Sequence, residues 1–453
     1  MKYQALYAKR KFIANRFVIG IDPGKKKHQA VVLDPQGLQL RMLTFAVSNY
    51  GFRQELWKKM AGAIPPAELS EAVFAIETSC NLWQTAAHYF HSQGYKVVLV
   101  SPLTTHHSRP MINHDFSRTD PKDGLLVASN TRDGYFDVYQ SYSTTISAMH
   151  DLSIAYNKLR KNQLQQRARV RACLEHVFPE FFDVVRLNTA TARHLLRDYF
   201  LPEHYLLLDV DKVGQEVAKI SQYQYGVETL KRLQELAATT IGIPKQGAEI
   251  TVVRSVINTW LTLEKQFQTP MEDTLALLLG LARQIPAFEL LTSLKGINNE
   301  TLAALFLAET RDLSFYRHYK QIEKLAGYNL RQSQSGQYVG SRRISHLGNR
   351  RLSWILYWMT KETAKYIPEV RIKFLKRQLA KRCFRKNVVA CAPVLLKLIF
   401  KIVKAQRPYE YRPESVARLE QLEQEYQAKY PDKAKKTKKL TRQEPASTLK
   451  CAA

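Results

Sequence analysis

Four acidic residues in the first third of the chain, Asp22, Glu77, Asp120 and Asp123, are of a type and spacing that could do chemistry. Asp22 closes the apolar run Phe17-Val18-Ile19-Gly20-Ile21, and Glu77 closes Val73-Phe74-Ala75-Ile76. Asp120 and Asp123 follow a third run, Val97-Val98-Leu99-Val100, after a polar loop. Carboxylates at the ends of neighbouring buried strands can converge, and converging negative charges are costly unless a cation joins them. Hard oxygen ligands of this kind suit Mg²⁺ or Mn²⁺. Two such ions can clamp the attacking and leaving oxygens of a phosphodiester. The set reads as machinery for cutting or rejoining a nucleic acid. Local alternatives stand beside this reading. Asp22-Pro23-Gly24 is also ordinary turn chemistry. Asp120 is a good helix N-cap, Pro121 suits the first helical position, and Asp123 suits the positive end of the helix dipole. The same helix start would place both carboxylates at one end, so the two readings are compatible.

A second constellation lies near residues 330–352. Leu330-Arg331-Gln332-Ser333-Gln334-Ser335-Gly336-Gln337 is followed by Arg342-Arg343-Ile344-Ser345-His346-Leu347-Gly348-Asn349-Arg350-Arg351-Leu352. Arginines hold phosphates through forked hydrogen bonds, so Arg331, Arg342, Arg343, Arg350 and Arg351, with His346 as a further donor, are candidate nucleic-acid contacts. A serine on such a loop is either a nucleophile, given a partner for its proton, or a plain contact to the phosphate backbone. Ser345 is a candidate cap for a helix over Asn349–Met359. A third segment, Leu294-Lys295-Gly296-Ile297-Asn298 before Thr301-Leu302-Ala303-Ala304-Leu305, is either a phosphate-binding helix–hairpin–helix or a plain packing turn.

The elements that must position these residues can be read from periodicity. Val18–Ile21, Gln29–Leu33 and Leu38–Val47 are predicted strands, with Asp34-Pro35-Gln36-Gly37 as the turn between the last two. A helix capped by Asn49 is predicted through Met60, then strand Val73–Ile76, helix Asn81–His91 stopped at Gly94, strand Lys96–Val100 and a final helix. This order is that of a ribonuclease H-like α/β fold. From Ile146 to Phe178 the apolar spacing predicts one long helix, with a basic middle, that pairs either within its own domain or with another subunit. Residues 180–285 read as mostly helical and carry no evident chemistry. Residues 286–412 read as a helical C-terminal domain, and residues 413–453 as a charged helix followed by a Lys-rich tail. The predicted organisation is thus a basic extension (1–16), an α/β domain (17–140), a coiled-coil and helical region (141–285), an all-α domain (286–412) and the tail.

Composition narrows the class. The 453 residues are 45% hydrophobic, enough for real cores, so a wholly disordered chain is excluded. The formal net charge of +28 points to a polyanionic partner, with a ribosome-associated or merely basic protein as the alternative. Between Arg331 and Arg407 there are 19 Lys or Arg against only Glu362 and Glu369. The five cysteines form no CxxC pair, which fits a reducing cytoplasm better than a disulfide framework. Met1–Arg16 lacks the apolar segment of a signal peptide, and no apolar stretch is long enough to span a membrane.

On these residues the chain resembles the IS110-type, or DEDD, transposases, over nearly its whole length. Asp22, Glu77, Asp120 and Asp123 match that family's four acids in order, within a region similar to its RuvC-like domain. The helix ending in Val177-Phe178-Pro179-Glu180 is similar to its central coiled coil. Leu294-Lys295-Gly296-Ile297, Phe315, Leu325-Ala326-Gly327-Tyr328, Ser335-Gly336, Ile344-Ser345 and Gly348-Asn349-Arg350-Arg351-Leu352 follow its C-terminal transposase domain. Gly124 stands where the family often has alanine, and Pro23-Gly24 with three lysines separates the first acid from His28. The resemblance implies a DNA recombinase of an insertion sequence, bacterial or archaeal and nucleoid-associated. It implies that the acids hold Mg²⁺ and that a serine attacks the phosphodiester. Ser335 matches that serine best, with Ser333 two residues away. It also implies a noncoding RNA that selects DNA. Joining two duplexes calls for a homodimer or homotetramer. Two rivals remain at this point: a metal-dependent nuclease of the Holliday-junction type that uses water as nucleophile, and a non-catalytic nucleic-acid-binding protein.

Overall fold

A computed structural model describes residues 2–79, 81–113, 120–297, 299–332, 334–335, 338–340 and 342–431. Within helix Asp120–Arg132 the side chains of Asp120 and Pro121 lie outside the described set. So do Ser333, Gly336 and the Lys-rich tail from residue 432. The chain divides into two units, residues 1–141 and 142–453.

The first unit is built on a mixed six-stranded sheet. Its strands are β1 (Val18–Asp22), β2 (Lys27–Leu33), β3 (Gln39–Ala46), β4 (Val73–Glu77), β5 (Lys96–Val100) and β6 (Asp137–Val138), in the order β3-β2-β1-β4-β5-β6. β1 pairs antiparallel with β2 and parallel with β4, and β4 pairs parallel with β5. This is the ribonuclease H-like arrangement. The near-continuous apolar runs of β1, β4 and β5 follow from burial on both faces. One face carries Ile19, Ile21, Ala30, Val32, Phe74 and Ile76 against helices α2 (Leu56–Met60) and α3 (Leu82–Ser92). The other carries Val18, Val31, Val73, Ala75, Val98 and Val100 against Val127 and Ala128.

Local chemistry sets the turns. At the β2–β3 connection Asp34 Oδ1 accepts from the backbone N–H of Gln36 and Leu38 at 2.9 and 2.8 Å, and Gly37 takes φ +94°, as the sequence predicts. The helix predicted to start at Asn49 differs in detail. Ser48 Oγ accepts from Gly51 N at 3.1 Å, and the first turn is a wide π-type turn, Gly51–Glu55, that passes into α2. Ser48 lies one residue closer to the strand, which lets its hydroxyl reach the first free N–H. The basic N-terminal segment forms α1 (Lys2–Ile13), whose Ile13 enters the Val127 face of the core.

The second unit is helical, with four two-residue strands around the Ser335 loop. Its long helix, α6 (Thr144–Val177), is capped by Ser143 and followed by Phe178 and Pro179. α6 lies along α8 (Ala248–Gln266), α9 (Gln268–Ala282) and α11 (Glu300–Thr310), so part of its surface packs within its own chain. Its polar middle is matched there by polar partners. Gln163 Nε2 donates to Gln268 Oε1 at 3.0 Å, and Arg167 Nη2 reaches the buried Glu264 at 2.6 Å. Glu264 also faces Arg193 of α7 (Ala190–Asp198). One apolar cluster runs from Val170 to Ile257, and a second gathers residues 278–402, including those of α10 (Pro286–Thr292), with Met149. No single described helix is long and apolar enough to cross a membrane.

Candidate active-site residues

Side-chain alternation decides where the acids point. Along β1, Val18, Gly20 and Asp22 share one face, and along β4, Val73, Ala75 and Glu77 share that same face. The parallel ladder ends at Ile21 opposite Ile76, so Asp22 and Glu77 stand side by side one step beyond it. Adjacent strands lie about 4.8 Å apart, which brings the two carboxylates into the same neighbourhood.

The remaining acids arrive on α5 (Asp120–Arg132), which crosses this face over β1 and β2. Its close approach depends on two glycines. A Cβ on Gly20 would stand 2.5 Å from Ala128 N and 2.6 Å from Gly124 O. A Cβ on Gly124 would meet Val31 Cγ2 at 3.1 Å, tight but against a side-chain methyl. The departure at Gly124 therefore eases a contact that alanine would crowd. The far end of α5 is tied down by Arg132, which donates to the carbonyls of Ile13, Arg16 and Asp34.

Asp22 and Asp123 lie close enough to Glu77 for their charges to act on it. Glu77 is 6% exposed. Burial, then the charges of Asp22 and Asp123, push its carboxyl up to about 7, against the opposing pull of the Thr105 hydroxyl and Arg109. Asp123 is held by Arg109, which donates Nε to Oδ1 and Nη2 to Oδ2, each at 3.0 Å. Thr105 and Arg109 come from α4 (Pro102–Ser108) and the residue after it. Sequence reasoning missed both, because nothing in Thr104-Thr105-His106-His107-Ser108-Arg109 marks them apart from an ordinary polar helix. His28, despite its place near Asp22, lies on the opposite face of the sheet. It packs edge-on to Phe45 and Phe52, and neither ring nitrogen has a hydrogen-bond partner among the described residues. Burial lowers its pKa to about 4.

The donor set fits a hard divalent cation: carboxylate oxygens, mutually repelling, at one end of a sheet. Among the described residues, no group of three or more His, Cys, Asp or Glu side chains is closed tightly enough to hold an ion.

In the second unit, Ser335 is exposed on a hairpin in which β8 (Gln334–Ser335) pairs with β9 (Tyr338–Val339). The base of this loop is a second ladder, with Leu330 opposite Ile344 and Arg331 opposite Arg343. Below it the chain returns onto the turn after α12 (Tyr319–Leu325). Gly327 takes φ +73° and His346 φ +56°, while a Cβ on Gly348 would lie 2.5 Å from Gly327 N. Ser345 does not cap the following helix. Its Oγ donates to Asn329 Oδ1 at 2.7 Å, inside the loop base. The cap of α13 (Arg350–Thr363) is Asn349, whose Oδ1 accepts from Arg351 N and Leu352 N. Ser345 lies too far upstream of the first free N–H groups to serve.

Arg331, Arg342, Arg343, His346 and Arg350 are exposed around this loop. Arg351 differs, because its Nε is bound to Glu309 of α11 at 2.6 Å. Glu309 is buried and also accepts from Asn349 Nδ2 at 2.5 Å and Ser153 Oγ at 2.7 Å. Burial raises its pKa, but the bonds from Arg351, Asn349 and Ser153 outweigh that and hold the carboxyl below its ordinary value. Glu309 was legible in principle, as the lone acid closing the apolar run Leu302–Ala308. The Gly296 turn presses on protein: with φ +98°, a Cβ there would meet the backbone of Glu362 and Thr363 at 3.0 Å. That is the packing alternative for this segment.

No curated protein matches the chain. Two family matches fall on the two regions just described. Residues 19–179 match the DEDD transposases of IS110, and residues 288–373 match the transposases of the IS116/IS110/IS902 family. The first match holds the two strands and the helix that carry the four acids, the second holds the Ser335 hairpin and its arginines, and together they take in more than half of the sequence. With both halves present in this order on a ribonuclease H-like sheet followed by helices, the chain belongs to the IS110 family of transposases.

Proposed function

We propose that this transposase recombines DNA by a metal-dependent serine transesterification. Asp22, Glu77, Asp120 and Asp123 would hold Mg²⁺ or Mn²⁺, and Ser335 would be the nucleophile. The observation that carries the metal reading is the shared face of Asp22, Glu77 and α5, where Glu77 is pushed up to about 7 by burial and by its acidic neighbours. A buried carboxylate cluster of this kind gains most from a hard cation. Once bound, the cation supplies charge neutralisation at the reacting phosphate.

Ser335 Oγ forms a bond to phosphorus, the P–O bond to one deoxyribose oxygen breaks, and the serine proton ends on that leaving hydroxyl. Attack on the phosphoserine by a hydroxyl of another strand reverses the step and restores both the serine and a phosphodiester, so strands exchange without an external energy source. Arg331, Arg342, Arg343, His346 and Arg350 contact phosphates around the nucleophile, and Arg351 does so with the nitrogens left free by Glu309. The resemblance and the charge of +28 support a noncoding RNA that selects the DNA, and exchange between two duplexes supports a homodimer or homotetramer.

The test is a denaturation-resistant protein–DNA adduct, formed with element-end DNA, the candidate RNA and Mg²⁺. Wild type and Ser333→Ala should form it, and Ser335→Ala and Asp120→Ala should not. Cleavage without an adduct, undiminished in Ser335→Ala, would assign the attack to water and reduce Ser335 to a phosphate contact.

A further inference from the structure

Arg109 lies outside the four acids and outside the Ser335 loop, yet it binds an acid of the cluster directly. It is 8% exposed and grips Asp123 through a two-bond fork, both bonds 3.0 Å. A guanidinium removed from water to this extent is costly unless an anion compensates it. The compensation is reciprocal. The charges of Asp22 and Asp123 act on Glu77, and Arg109 brings a fixed positive charge to Asp123 at the edge of this group. α4 and α5 pack on each other, and Asn130 Nδ2 donates to Ser108 Oγ at 2.7 Å, so the residue before Arg109 is anchored to the helix that bears Asp123. The fork is thus a built contact between two anchored elements.

A guanidinium fork aligned on a carboxylate engages both of its oxygens. A divalent ion needs carboxylate oxygen at about 2.1 Å. Guanidinium and metal therefore draw on the same negative charge, and each weakens the hold of the other. We propose that Arg109 is a resident counter-cation of the acid cluster: it neutralises and holds Asp123 in the absence of an ion, a divalent cation binds against it, and it thereby sets the free metal concentration the protein requires. This rests on the metal reading of the acids given above. Arg109 acts through Asp123 and is a positioning residue, not a catalytic one.

The experiment uses the full chain and reads melting temperature as MnCl₂ is titrated from an EDTA-treated start at constant ionic strength. Wild type, Arg109→Gln, Arg109→Lys and Asp22→Asn are compared. Arg109→Gln should melt below wild type in EDTA, gain more from Mn²⁺, and reach half its gain at roughly tenfold lower metal, since removing one charge near a divalent ion is worth at least that factor. Arg109→Lys keeps the charge and loses the fork, so its midpoint should stay within about twofold of wild type. A midpoint for Arg109→Gln equal to or above that of wild type would overturn the proposal, leaving orientation of Asp123 as the role. If Arg109→Gln does not fold, a midpoint for Arg109→Lys raised tenfold would overturn it on the same ground. No saturable Mn²⁺ response in wild type, with Asp22→Asn behaving identically, would sink the metal reading itself and the proposal with it. A saturable wild-type response lost in Asp22→Asn, with Arg109→Gln unmoved, would sink the Arg109 proposal alone.

Discussion

At the scale of single residues, the two groups with the largest displacements near the sheet act in opposite directions with pH. Glu77 binds its proton more tightly in the folded protein, at about 7 against an ordinary 4.5. Protonation therefore favours the fold, and this stabilisation is complete below about pH 4.5 and lost as pH rises through 7. His28 is lowered from 6.5 to about 4. Its contribution is present above pH 6.5 and lost as pH falls toward 4. Between these limits the slopes oppose, and above pH 6.5 only Glu77 remains. In EDTA, wild type should lose about 2 kcal/mol more than Glu77→Gln between pH 5.5 and pH 8. Chemical denaturation at the two pH values reads this difference directly. Saturating Mn²⁺ should abolish the wild-type loss, because a bound cation favours the ionised carboxylate. Equal slopes in the two proteins would mean that Glu77 is not the buried, crowded acid described here.

At the scale of elements, two contacts position the chemistry. The first is the crossing of α5 over β1, which needs the absence of a side chain at Gly20. Gly20→Ala should cost about 2–3 kcal/mol, because the new methyl meets backbone that cannot move without shifting the helix. It should also weaken Mn²⁺ binding, since the displaced helix carries Asp120 and Asp123. Urea denaturation and a metal titration on the same variant measure both. The second contact is Glu309, which joins α6, α11 and the start of α13 through Ser153, Asn349 and Arg351. Arg351 is partly exposed and water compensates some of its loss, so Glu309→Ala should cost about 2–3 kcal/mol, less than the full penalty for breaking a buried pair. Glu309→Gln, which keeps one acceptor oxygen of the two and so part of this hydrogen bonding, should cost less. If the two variants are equally destabilised, the charge of Glu309 matters and its shared hydrogen bonds do not.

At the scale of the whole molecule, charge dominates. A net +28 implies nucleic-acid binding driven by counterion release, with affinity falling by roughly 10³-fold or more between 50 and 200 mM salt. Arg342→Ala should lower the slope of log affinity against log salt by about one, as expected for one phosphate contact. Arg351→Ala should lower the slope by less than one and also lower stability, because its Nε already serves Glu309 and only its remaining nitrogens can reach phosphate. Filter binding across a salt series separates the two. An equal change of slope in both variants would mean that the Glu309 pair leaves Arg351 fully available to phosphate. Much of the surface of α6 is spent on helices of its own chain, so the assembly proposed above is tested by substituting its exposed Ile154 and Leu164 rather than its buried positions.

Much of this protein was determined by its sequence alone. The first five strands, the Asp34–Gly37 turn and the long helix follow from local rules, since side-chain period, turn residues and caps act over a few positions; the sixth strand, Asp137–Val138, has only two residues and was not read. The acids were legible for a related reason, since a carboxylate closing an apolar run is costly and calls for a partner. Tertiary structure decided the partners. That Arg109 takes Asp123 across 14 residues, and that Glu309 takes Ser153 across 156, could not be read from either neighbourhood. The caps show the same limit at short range. Ser48 and Asn349 cap where Asn49 and Ser345 were equally plausible by type, because capping depends on where the backbone N–H groups point. Nor did the basic, polar middle of α6 announce that Glu264 and Gln268 would receive it. Local patterning encodes backbone conformation, but a buried charge is satisfied by whichever group the fold brings beside it, and that is settled only when the elements pack.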